Sequence, residues 1–321
     1  MTATEPGRRE WLDWRRRGIG GSDVAGVLGL SPWTTPYAVW ASKVTEQPDL
    51  EVTDAMEFGK RAEPMLAEWF HDRTGLHVLG EQTWCTHPTM SHRRCTVDGF
   101  VAESANTALD DVLGVAEWKT TSDPADEWAE HVPDHYATQA TWSMAVTDLP
   151  RVWFGVLHLA YGRPTFRVYE FARDLDDERF VLDACDAWWV EHVVANVAPA
   201  VDGHEATTRA LNSTWLTTTG EMQADERLRF AVEQVRWFEA ERDSALAGLE
   251  EARNELRLLM GEHDTVVDVV DGKARNLATW RWQSPTRVDT TRMRAAWPDL
   301  VREYEYETPA RVLRVNKPKG S

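Results

Sequence analysis

The stretch Asp110-Asp111-Val112-Leu113-Gly114-Val115-Ala116-Glu117-Trp118-Lys119-Thr120 is β-prone, and a second β-prone run, Ser91–Asp98, precedes it across a polar segment suited to a turn. Side chains alternate between the two faces of a strand, so Glu117 and Lys119 point to the same side. An antiparallel pairing of the two runs would place the carboxylate of Asp98 beside them. Two carboxylates can then hold Mg²⁺ or Mn²⁺ while the lysine orients or helps deprotonate an attacking water. The spacing predicts metal-dependent cleavage of phosphodiester bonds, although a surface ion pair on a strand would show the same three residues.

A basic helix and a glycine turn lie near the start of the chain. The segment Trp11–Gly21 carries three consecutive arginines, Arg15 to Arg17, and Val24–Leu28 resumes a helical pattern after it. Ser22 or Asp23 would cap that second helix. Its free amides, together with the nearby arginines, form a candidate phosphate site. A plain N-cap and an exposed basic turn are the simpler interpretations.

Two further helices are predicted, one before and one after the strands. Phe58–Pro64 opens the first, whose apolar positions recur at helical spacing, and Tyr136–Met144 forms the second. Glu63 lies on the first helix and Gln139 on the second. Taken separately, each is an ordinary solvated side chain on a helix surface.

These pieces follow one another in a specific order over roughly the first half of the chain. They are Gly18–Asp23 (GIGGSD), Phe58–Glu63 (FGKRAE), Val97–Phe100 (VDGF), Glu117–Lys119 (EWK) and Tyr136–Met144 (YATQATWSM). The series resembles the YqaJ-type viral recombinase nucleases, the family that includes phage lambda exonuclease, and several short motifs in order are more specific than any one of them. The resemblance implies the restriction-endonuclease-like, PD-(D/E)XK fold, which is an α/β core with a mixed central sheet flanked by helices.

The resemblance also implies roles for individual residues in catalysis. Asp98 and Glu117 would bind the catalytic metal. That metal would be Mg²⁺, and Mn²⁺ could replace it. Glu63 matches the upstream helix glutamate that lies near the metals. Lys119 would be the catalytic lysine, and Gln139 matches the glutamine of the helix behind the active site.

A 5′-terminal phosphate would be held by Ser22 and Arg15, which match the serine and arginine of the lambda enzyme, with Arg17 as a neighbouring candidate. One departure from the family pattern is Val97, which stands where proline usually precedes the metal-binding aspartate. This departure changes a turn preference but removes no metal ligand.

The activity that the resemblance implies is 5′→3′ degradation of one strand of linear double-stranded DNA. The product would be a 3′ overhang for a single-strand annealing protein of the RecT or Bet type, and the subunits would form a ring-like trimer around the DNA. Two alternatives stay open. The first is an endonuclease or repair nuclease that uses the same metal site without needing a DNA end, and the second is a DNA-end-binding or partner-binding protein without catalysis.

Composition limits the class of protein. The 321 residues are 42% hydrophobic, which suffices for a substantial core, and they contain neither a membrane-length apolar stretch nor a signal-peptide core. We therefore expect a cytoplasmic protein in a bacterial host. The three cysteines suit a reducing compartment and are too few for the four-cysteine iron–sulfur cluster of related nucleases. The side chains of Cys85, His87, His92 and Cys95 are of the zinc-binding type, yet they lie in a β-rich run leading to Asp98.

The net charge of −18 argues against a protein that coats nucleic acid nonspecifically, because phosphates are bound by lysine and arginine. A local basic channel can nevertheless bind DNA within an acidic protein. The candidate lining is Arg15 to Arg17, Lys60-Arg61, Arg93-Arg94 and the tail from Lys317 to Lys319.

Three regions are expected along the chain. They are an exonuclease domain over 1–198, a linker over 199–222, and a C-terminal helical arm with a small α+β segment over 223–321. In the first region, Arg151–Leu159 and Thr165–Phe171 predict a β-hairpin that completes the sheet, and a helix follows from about Asp174 to Val194.

In the third region, apolar residues at heptad spacing between Leu228 and Leu259 predict a long amphipathic helix or coiled-coil arm, either paired with a second chain or folded onto its own domain. Ala274–Trp282 then predicts a strand, Thr290–Leu300 a helix, and Arg311–Val315 a final strand. No motif in this region carries chemistry. Partner binding and DNA grip are its two sensible functions.

Overall fold

The structure is a computed structural model that describes residues 6–45, 53–122, 127–159, 163–214, 220–271, 273–305 and 313–316. The chain divides into two compact units, Met1–Leu216 and Thr217–Ser321, and each is described by itself. In the described residues, no helix combines the length and the apolar composition that crossing a membrane requires.

A mixed sheet forms the centre of the first unit. Its described strands stand in the order β1-β4-β5-β6-β7, and every neighbouring pair is antiparallel except β5 and β6, which are parallel. The strands are β1 His77–Leu79, β4 Gly99–Ala102, β5 Gly114–Thr121, β6 Arg151–His158 and β7 Thr165–Ala172. A separate antiparallel pair consists of β2 Thr83–Thr86 and β3 Arg94–Val97.

Helices cover both faces of this sheet. Those of the first unit are α1 Pro6–Arg16, α2 Gly21–Val27, α3 Pro36–Val44, α4 Asp54–Thr74, α5 Asp134–Thr147, α6 Leu175–Trp188 and α7 Glu205–Thr214. This arrangement confirms the predicted α/β core with a mixed sheet flanked by helices.

The alternation along β5 assigns its side chains to two different cores. Val115 packs into a cluster with the buried residues of α2, α5 and α6, whereas Ala116 and Trp118 pack against α4. Glu117 and Lys119 share the face of Val115, because residues two apart point to the same side of a strand. Gly155 on β6 makes room for this packing, since a Cβ there would lie 2.5 Å from the ring of Trp118.

The partner of β5 differs from the one expected. The run Ser91–Asp98 was predicted to pair with it, but β3 is shorter and pairs with β2, while β4 begins directly after Asp98 and pairs with β5. Gly99 lies opposite Ala116 in that register. Asp98, one residue earlier, is therefore brought beside Glu117 by β4.

The hairpin predicted after the second helix is confirmed, because β6 and β7 are antiparallel and extend the central sheet. Tyr161 and Gly162 of its predicted turn lie outside the described residues. The helix predicted from Asp174 to Val194 is also present. It runs as α6 and continues as a π-helical turn over Trp189–Val194.

The segment 199–222 differs from the linker that was expected. It contains α7, in which Ala206, Thr207 and Ala210 are buried. The hydroxyl of Thr207 is hydrogen-bonded to that of Thr35 at 2.8 Å, and Ala210 packs against residues of α3. The alanines and threonines that suggested a linker are small enough for close helix packing, and the first compact unit accordingly extends to Leu216.

The second unit contains the long helix α8 Glu226–Met260, a hairpin of β8 Thr265–Val270 and β9 Lys273–Thr279, and two short helices, α9 Thr290–Ala296 and α10 Pro298–Glu303. The heptad residues of α8 are largely exposed, as Phe238 and Leu259 illustrate. The single helix expected over 290–300 is two helices, because a proline begins a new one at Pro298. Of the predicted final strand, Arg311 and Val312 lie outside the described residues, and Leu313 to Val315 form no strand.

Candidate active site

Three of the predicted site residues lie together at the junction of β4 and β5. The backbone N–H of Trp118 donates a hydrogen bond of 2.8 Å to Oδ2 of Asp98, which fixes that carboxylate against β5. Lys119 Nζ lies 3.0 Å from Oε2 of Glu117. The strand alternation that predicted a shared face for Glu117 and Lys119 therefore describes the observed contact.

Gln139 joins this group from α5. Its Nε2 donates to Oε2 of Glu117 at 2.9 Å, and its Oε1 accepts from Lys119 Nζ at 3.3 Å. The ring of Tyr136, three residues earlier on the same helix, lies beside the ammonium, with 5.0 Å between Nζ and the ring centroid. One carboxylate oxygen of Glu117 thus accepts two hydrogen bonds, while the lysine is held by three different side chains.

The other oxygen of Glu117 has no such support. Glu117 is 2% exposed, and its Oε1 is buried without a hydrogen-bond partner among the described residues. Burial raises the pKa of Glu117 to about 7; Lys119 opposes the shift, and Asp98 adds to it. A buried carboxylate oxygen without a donor is costly, and a cation would satisfy it.

Glu63 reaches the same place from α4 through a residue that the sequence analysis missed. Gln82 lies in the turn between β1 and β2 and donates from Nε2 to Glu63 Oε2 at 2.9 Å and to Asp98 Oδ1 at 3.2 Å. Its backbone has a φ of 52°, in the left-handed region. Burial and the charge of Asp98 raise the pKa of Glu63. Nothing in the local sequence distinguishes Gln82, because its role depends on which turn meets the carboxylates.

The donor set fits a hard divalent cation. Asp98 and Glu117 offer carboxylate oxygens, and the unpartnered Oε1 of Glu117 is the observation that favours an ion there. Within the described residues, no three His, Cys, Asp or Glu side chains are arranged to hold a metal by themselves. Mg²⁺ commonly takes one or two protein carboxylates and completes its shell with water and substrate phosphate. Cys85 and Cys95 of the zinc alternative face each other across β2 and β3 and are free thiols.

Arg15 and Ser22, predicted to hold a terminal phosphate, are in contact. Arg15 Nη2 donates to Ser22 Oγ at 2.9 Å and to Asp23 Oδ1 at 3.0 Å. The expectation that Ser22 or Asp23 caps α2 is wrong, because the N-cap is Gly20 and Asp23 accepts from its backbone N–H at 2.9 Å. Ser22 is exposed and is left to face solvent beside the guanidinium.

A buried ion pair holds Arg15 in place. Lys43 Nζ lies 2.6 Å from Asp23 Oδ2 and 3.3 Å from the backbone oxygen of Arg15. Burial by itself raises the pKa of Asp23, but Lys43 and Arg15 hold it well below its usual range. The sequence analysis missed Lys43, whose partner is twenty positions away on another helix.

Comparison with known proteins supports the predicted resemblance. Residues 10–150 match the model of the YqaJ-like viral recombinase domain. They contain every residue of the acidic site and of the Arg15 cluster described above, and the predicted resemblance is confirmed.

A curated relative and two solved structures extend the match. The uncharacterized protein YqaJ of Bacillus subtilis (strain 168) is 28% identical over 314 residues, which cover 95% of this chain and 93% of that protein. Among solved structures, the alkaline exonuclease LHK-Exo of Laribacter hongkongensis has a TM-score of 0.46 at 20% identity, covering 59% of this chain and 94% of that one. A phage related exonuclease of Haemophilus somnus 129PT has a TM-score of 0.42 at 10% identity, covering 56% and 96%.

The remaining basic residues of the first unit are distributed unlike the single channel that was expected. Arg93 is paired with Asp186, and Arg61 with Glu57. Arg17 does not join Arg15 and Ser22 but lines a separate cleft that also contains Arg94. Residues Lys317 to Lys319 lie outside the described part of the chain.

Proposed function

We propose that this protein is a divalent-metal-dependent nuclease that degrades one strand of linear double-stranded DNA in the 5′→3′ direction. The observation that carries the proposal is the buried Glu117, whose Oε1 lacks a partner beside Asp98 and Lys119. The metal proposed is Mg²⁺, with Mn²⁺ as a substitute, and its protein ligands are Asp98 and Glu117, with Glu63 nearby.

A cation bound by these carboxylates would polarise the scissile phosphate and lower the pKa of a bound water. The chain's own residues then have separate tasks. Gln139 fixes Glu117 and Lys119 relative to each other through its two hydrogen bonds. Gln82 holds Glu63 beside Asp98. This division keeps the reacting groups in place before substrate arrives.

Lys119 acts as a charged donor in this proposal. Burial lowers its pKa, but the carboxylates of Glu117 and Asp98 outweigh burial and raise it above the usual value. Without metal, these carboxylates therefore favour the charged ammonium over the neutral amine. We assign it the orientation of the attacking water and the neutralisation of charge on the phosphate.

Preference for a DNA end would come from Arg15 and Ser22. Their side chains present a guanidinium and a hydroxyl at one spot, and both are donors suited to a terminal phosphate. We further propose that the 3′ overhang left by the reaction is passed to a single-strand annealing protein, and that three subunits form a ring around the DNA. Both statements rest on the family resemblance.

The experiment uses linear duplex DNA labelled separately at each end, with and without a 5′ phosphate, incubated with Mg²⁺. Wild type should release nucleotides progressively from phosphorylated 5′ ends. Lys119→Ala should lower the rate about 10²–10³-fold, as expected for loss of one preorganised charged donor. Lys273→Ala, which removes an exposed lysine of the second unit, is the matched control and should match wild type.

Three results would contradict the proposal in different ways. Cleavage of closed circular DNA would indicate an endonuclease with the same metal site. Release from 3′ ends would reverse the polarity. Absence of cleavage by wild type with either Mg²⁺ or Mn²⁺ would leave a DNA-binding or partner-binding protein.

A further inference from the structure

The cleft that contains Arg17 and Arg94 lies between α1 and the hairpin of β2 and β3, apart from the acidic site. Its volume is about 610 Å³. The residues that line it are Arg9, Trp14, Arg17, Trp84 and Arg94, together with the acidic Glu10 and Asp13. None of these side chains belongs to the acidic site or to the contact between Arg15 and Ser22.

The cleft has an aromatic wall. The rings of Trp14 and Trp84 are stacked, with their centroids 5.5 Å apart and their planes 25° apart. Trp14 Nε1 donates to the hydroxyl of Thr86 at 3.3 Å, which ties α1 to the hairpin. Trp84 is 40% exposed, so part of its indole surface remains open. An exposed indole held in place by a second ring is a suitable stacking platform for a nucleobase.

The cleft also contains two guanidiniums, those of Arg17 and Arg94. Arg94 donates from Nε to the backbone oxygen of Ser91 at 2.8 Å and from Nη1 to that of Trp14. Its guanidinium carbon lies 5.3 Å from the ring centroid of Trp14. Among the described residues, neither Arg94 nor Arg17 forms an ion pair with an acidic side chain. Burial and the nearby charge of Arg17 lower the pKa of Arg94. An anion between the two guanidiniums would relieve their repulsion.

The two acids of the cleft, Glu10 and Asp13, both lie on α1. A helix rises about 1.5 Å per residue, so Asp13 lies about 6 Å and Glu10 about 10 Å before Arg17, which directly follows α1. The arginine pair and the exposed indole lie near the C-terminal end of α1, with Asp13 about one turn and Glu10 about two turns before Arg17. The chemistry at that end, two cations and an aromatic face, matches the phosphates and one base of a nucleic acid strand.

Position along the chain connects the cleft to the acidic site. Trp84 is two residues from Gln82, which contacts Asp98, and Arg17 is two residues from Arg15. In the register of β2 and β3, Trp84 lies opposite Thr96, whereas Cys85 and Cys95 occupy the other face and are directed to the core. The hairpin thus carries the aromatic cleft on one face, and Asp98 follows its second strand.

We propose that this cleft binds single-stranded DNA, with a base stacked on Trp84 and neighbouring phosphates on Arg17 and Arg94. The inference rests on the proposed nuclease function, in which the end of the cleaved strand is taken by Arg15 and Ser22. The occupant of this cleft is therefore the uncut strand, which becomes single-stranded as its complement is removed.

The test measures binding of the full chain to a fluorescent oligothymidylate of about ten nucleotides, by anisotropy in EDTA so that cleavage does not intervene. Trp84→Ala should weaken binding at least about fivefold, the lower end of the effect of losing one stacked base. Trp84→Phe, which keeps an aromatic face, should remain close to wild type. Trp237→Ala, which removes an exposed tryptophan of α8, is the matched control and should have no effect.

Two further arms separate stacking from charge. Arg17→Ala should reduce the slope of log affinity against log salt by about 0.7, the value for one lost contact to a single strand. An abasic oligonucleotide should bind wild type and Trp84→Ala equally, because it offers no base to stack. Polyglutamate, which stands in for an acidic protein surface, should compete poorly with oligothymidylate for the cleft.

The inference is overturned if Trp84→Ala binds oligothymidylate as wild type does, if Trp237→Ala loses as much affinity, or if polyglutamate competes as well as DNA. The last result would indicate an acidic protein surface as the occupant. Parallel cleavage of linear duplex keeps the two proposals apart. A wild type that cleaves but shows no effect at Trp84 refutes this inference and leaves the nuclease. A wild type that binds single-stranded DNA through Trp84 but never cleaves refutes the nuclease, and with it the uncut strand as the occupant, but leaves the binding of single-stranded DNA at the cleft.

Discussion

Asp23 and Glu117 are two carboxylates of the same compact unit that are almost equally hidden from solvent. Their exposed fractions are 6% and 2%. Asp23 is surrounded by partners, because Arg15 contacts one oxygen while Lys43 and the N–H of Gly20 contact the other. These positive charges hold its pKa well below the usual range despite burial. Asp23 therefore belongs to a structural ion pair with Lys43 in which both of its carboxylate oxygens have partners. We call it the completed pair.

Glu117 has the opposite balance. Lys119 and Gln139 both bond to one oxygen, the other oxygen has no partner among the described residues, and the charge of Asp98 disfavours ionisation. Its pKa rises to about 7, mainly because of burial. The comparison shows that charge balance, rather than depth, distinguishes a carboxylate that stabilises the fold from one that awaits a ligand.

Removing Lys43, the cation of the completed pair, should have the largest effect on the free energy of unfolding. Lys43→Met leaves Asp23 buried with Arg15 as its remaining cation and should lower the free energy of unfolding by about 3–5 kcal/mol. Urea denaturation measures this loss. Lys60→Met, which changes an exposed lysine of α4, should stay within about 0.5 kcal/mol of wild type. A loss of similar size in both variants would contradict a special role for the Asp23–Lys43 pair.

Glu117 should make the stability of the metal-free protein depend on pH. A carboxyl whose folded-state pKa is raised contributes its full stability below its unfolded pKa and loses that contribution as the pH rises through the folded pKa. For Glu117 this window runs from 4.5 to about 7. Wild type in EDTA should lose up to about 3 kcal/mol across it on account of this residue.

Glu117→Gln is the matched variant, because the amide keeps the side-chain shape and cannot ionise. The wild-type and variant unfolding free energies should converge near pH 4.5 and diverge as the pH approaches 8, with the variant the more stable at the higher pH. Mn²⁺ should stabilise wild type and not the variant at pH 8. Parallel pH profiles would mean that Glu117 is not the group responsible.

The sequence predicts the surroundings of Glu117 better than those of Asp23. Strand alternation places Glu117 and Lys119 on one face, and the order of motifs supplies Asp98, Glu63 and Gln139, which the structure brings together. These inferences succeed because they depend on local periodicity and on a series of motifs. Lys43 and Gln82 have no such signal, since each acts through a partner on a different element.

The misjudged elements have the same cause. The composition of 199–222 suggests a linker, but α7 there buries small residues against α3, a contact that only the tertiary structure reveals. Three adjacent arginines look equivalent in the sequence, yet Arg15 on α1 contacts Ser22, whereas Arg17, just after the end of α1, lines the cleft with Arg94. Side-chain direction on a helix changes by about 100° per residue, so neighbours in sequence serve different sites.

A third substitution removes one of the two hydrogen-bond donors to the supported oxygen of Glu117. Gln139→Met removes the donor to Glu117 and the acceptor from Lys119 while retaining the volume of the side chain. Loss of a hydrogen bond to a charged group costs about 1.5–3 kcal/mol, so the cleavage rate should fall about 10–100-fold. The fall in metal-free stability should also move to higher pH, because the ionised carboxylate has lost a donor. Thr138→Ala, one residue away on α5, is the control; an unchanged pH profile in Gln139→Met would contradict the assignment.

The smallest effect should come from the exposed neighbour of the completed pair. Ser22→Ala removes a hydroxyl that contacts Arg15 but leaves the bonds of Asp23 to Lys43 and Arg15 intact. Stability should therefore change by less than about 0.5 kcal/mol, as for other surface substitutions. The ratio of kcat/KM on 5′-phosphorylated ends to that on 5′-hydroxyl ends should fall about tenfold, the value of one hydrogen bond to a charged phosphate. Thr208→Ala, which removes an exposed hydroxyl of α7, should leave the ratio unchanged. If Ser22→Ala keeps the full preference for phosphorylated ends while Lys43→Met unfolds the unit, the Asp23 cluster serves the fold only, and the proposed recognition of the DNA end must lie elsewhere.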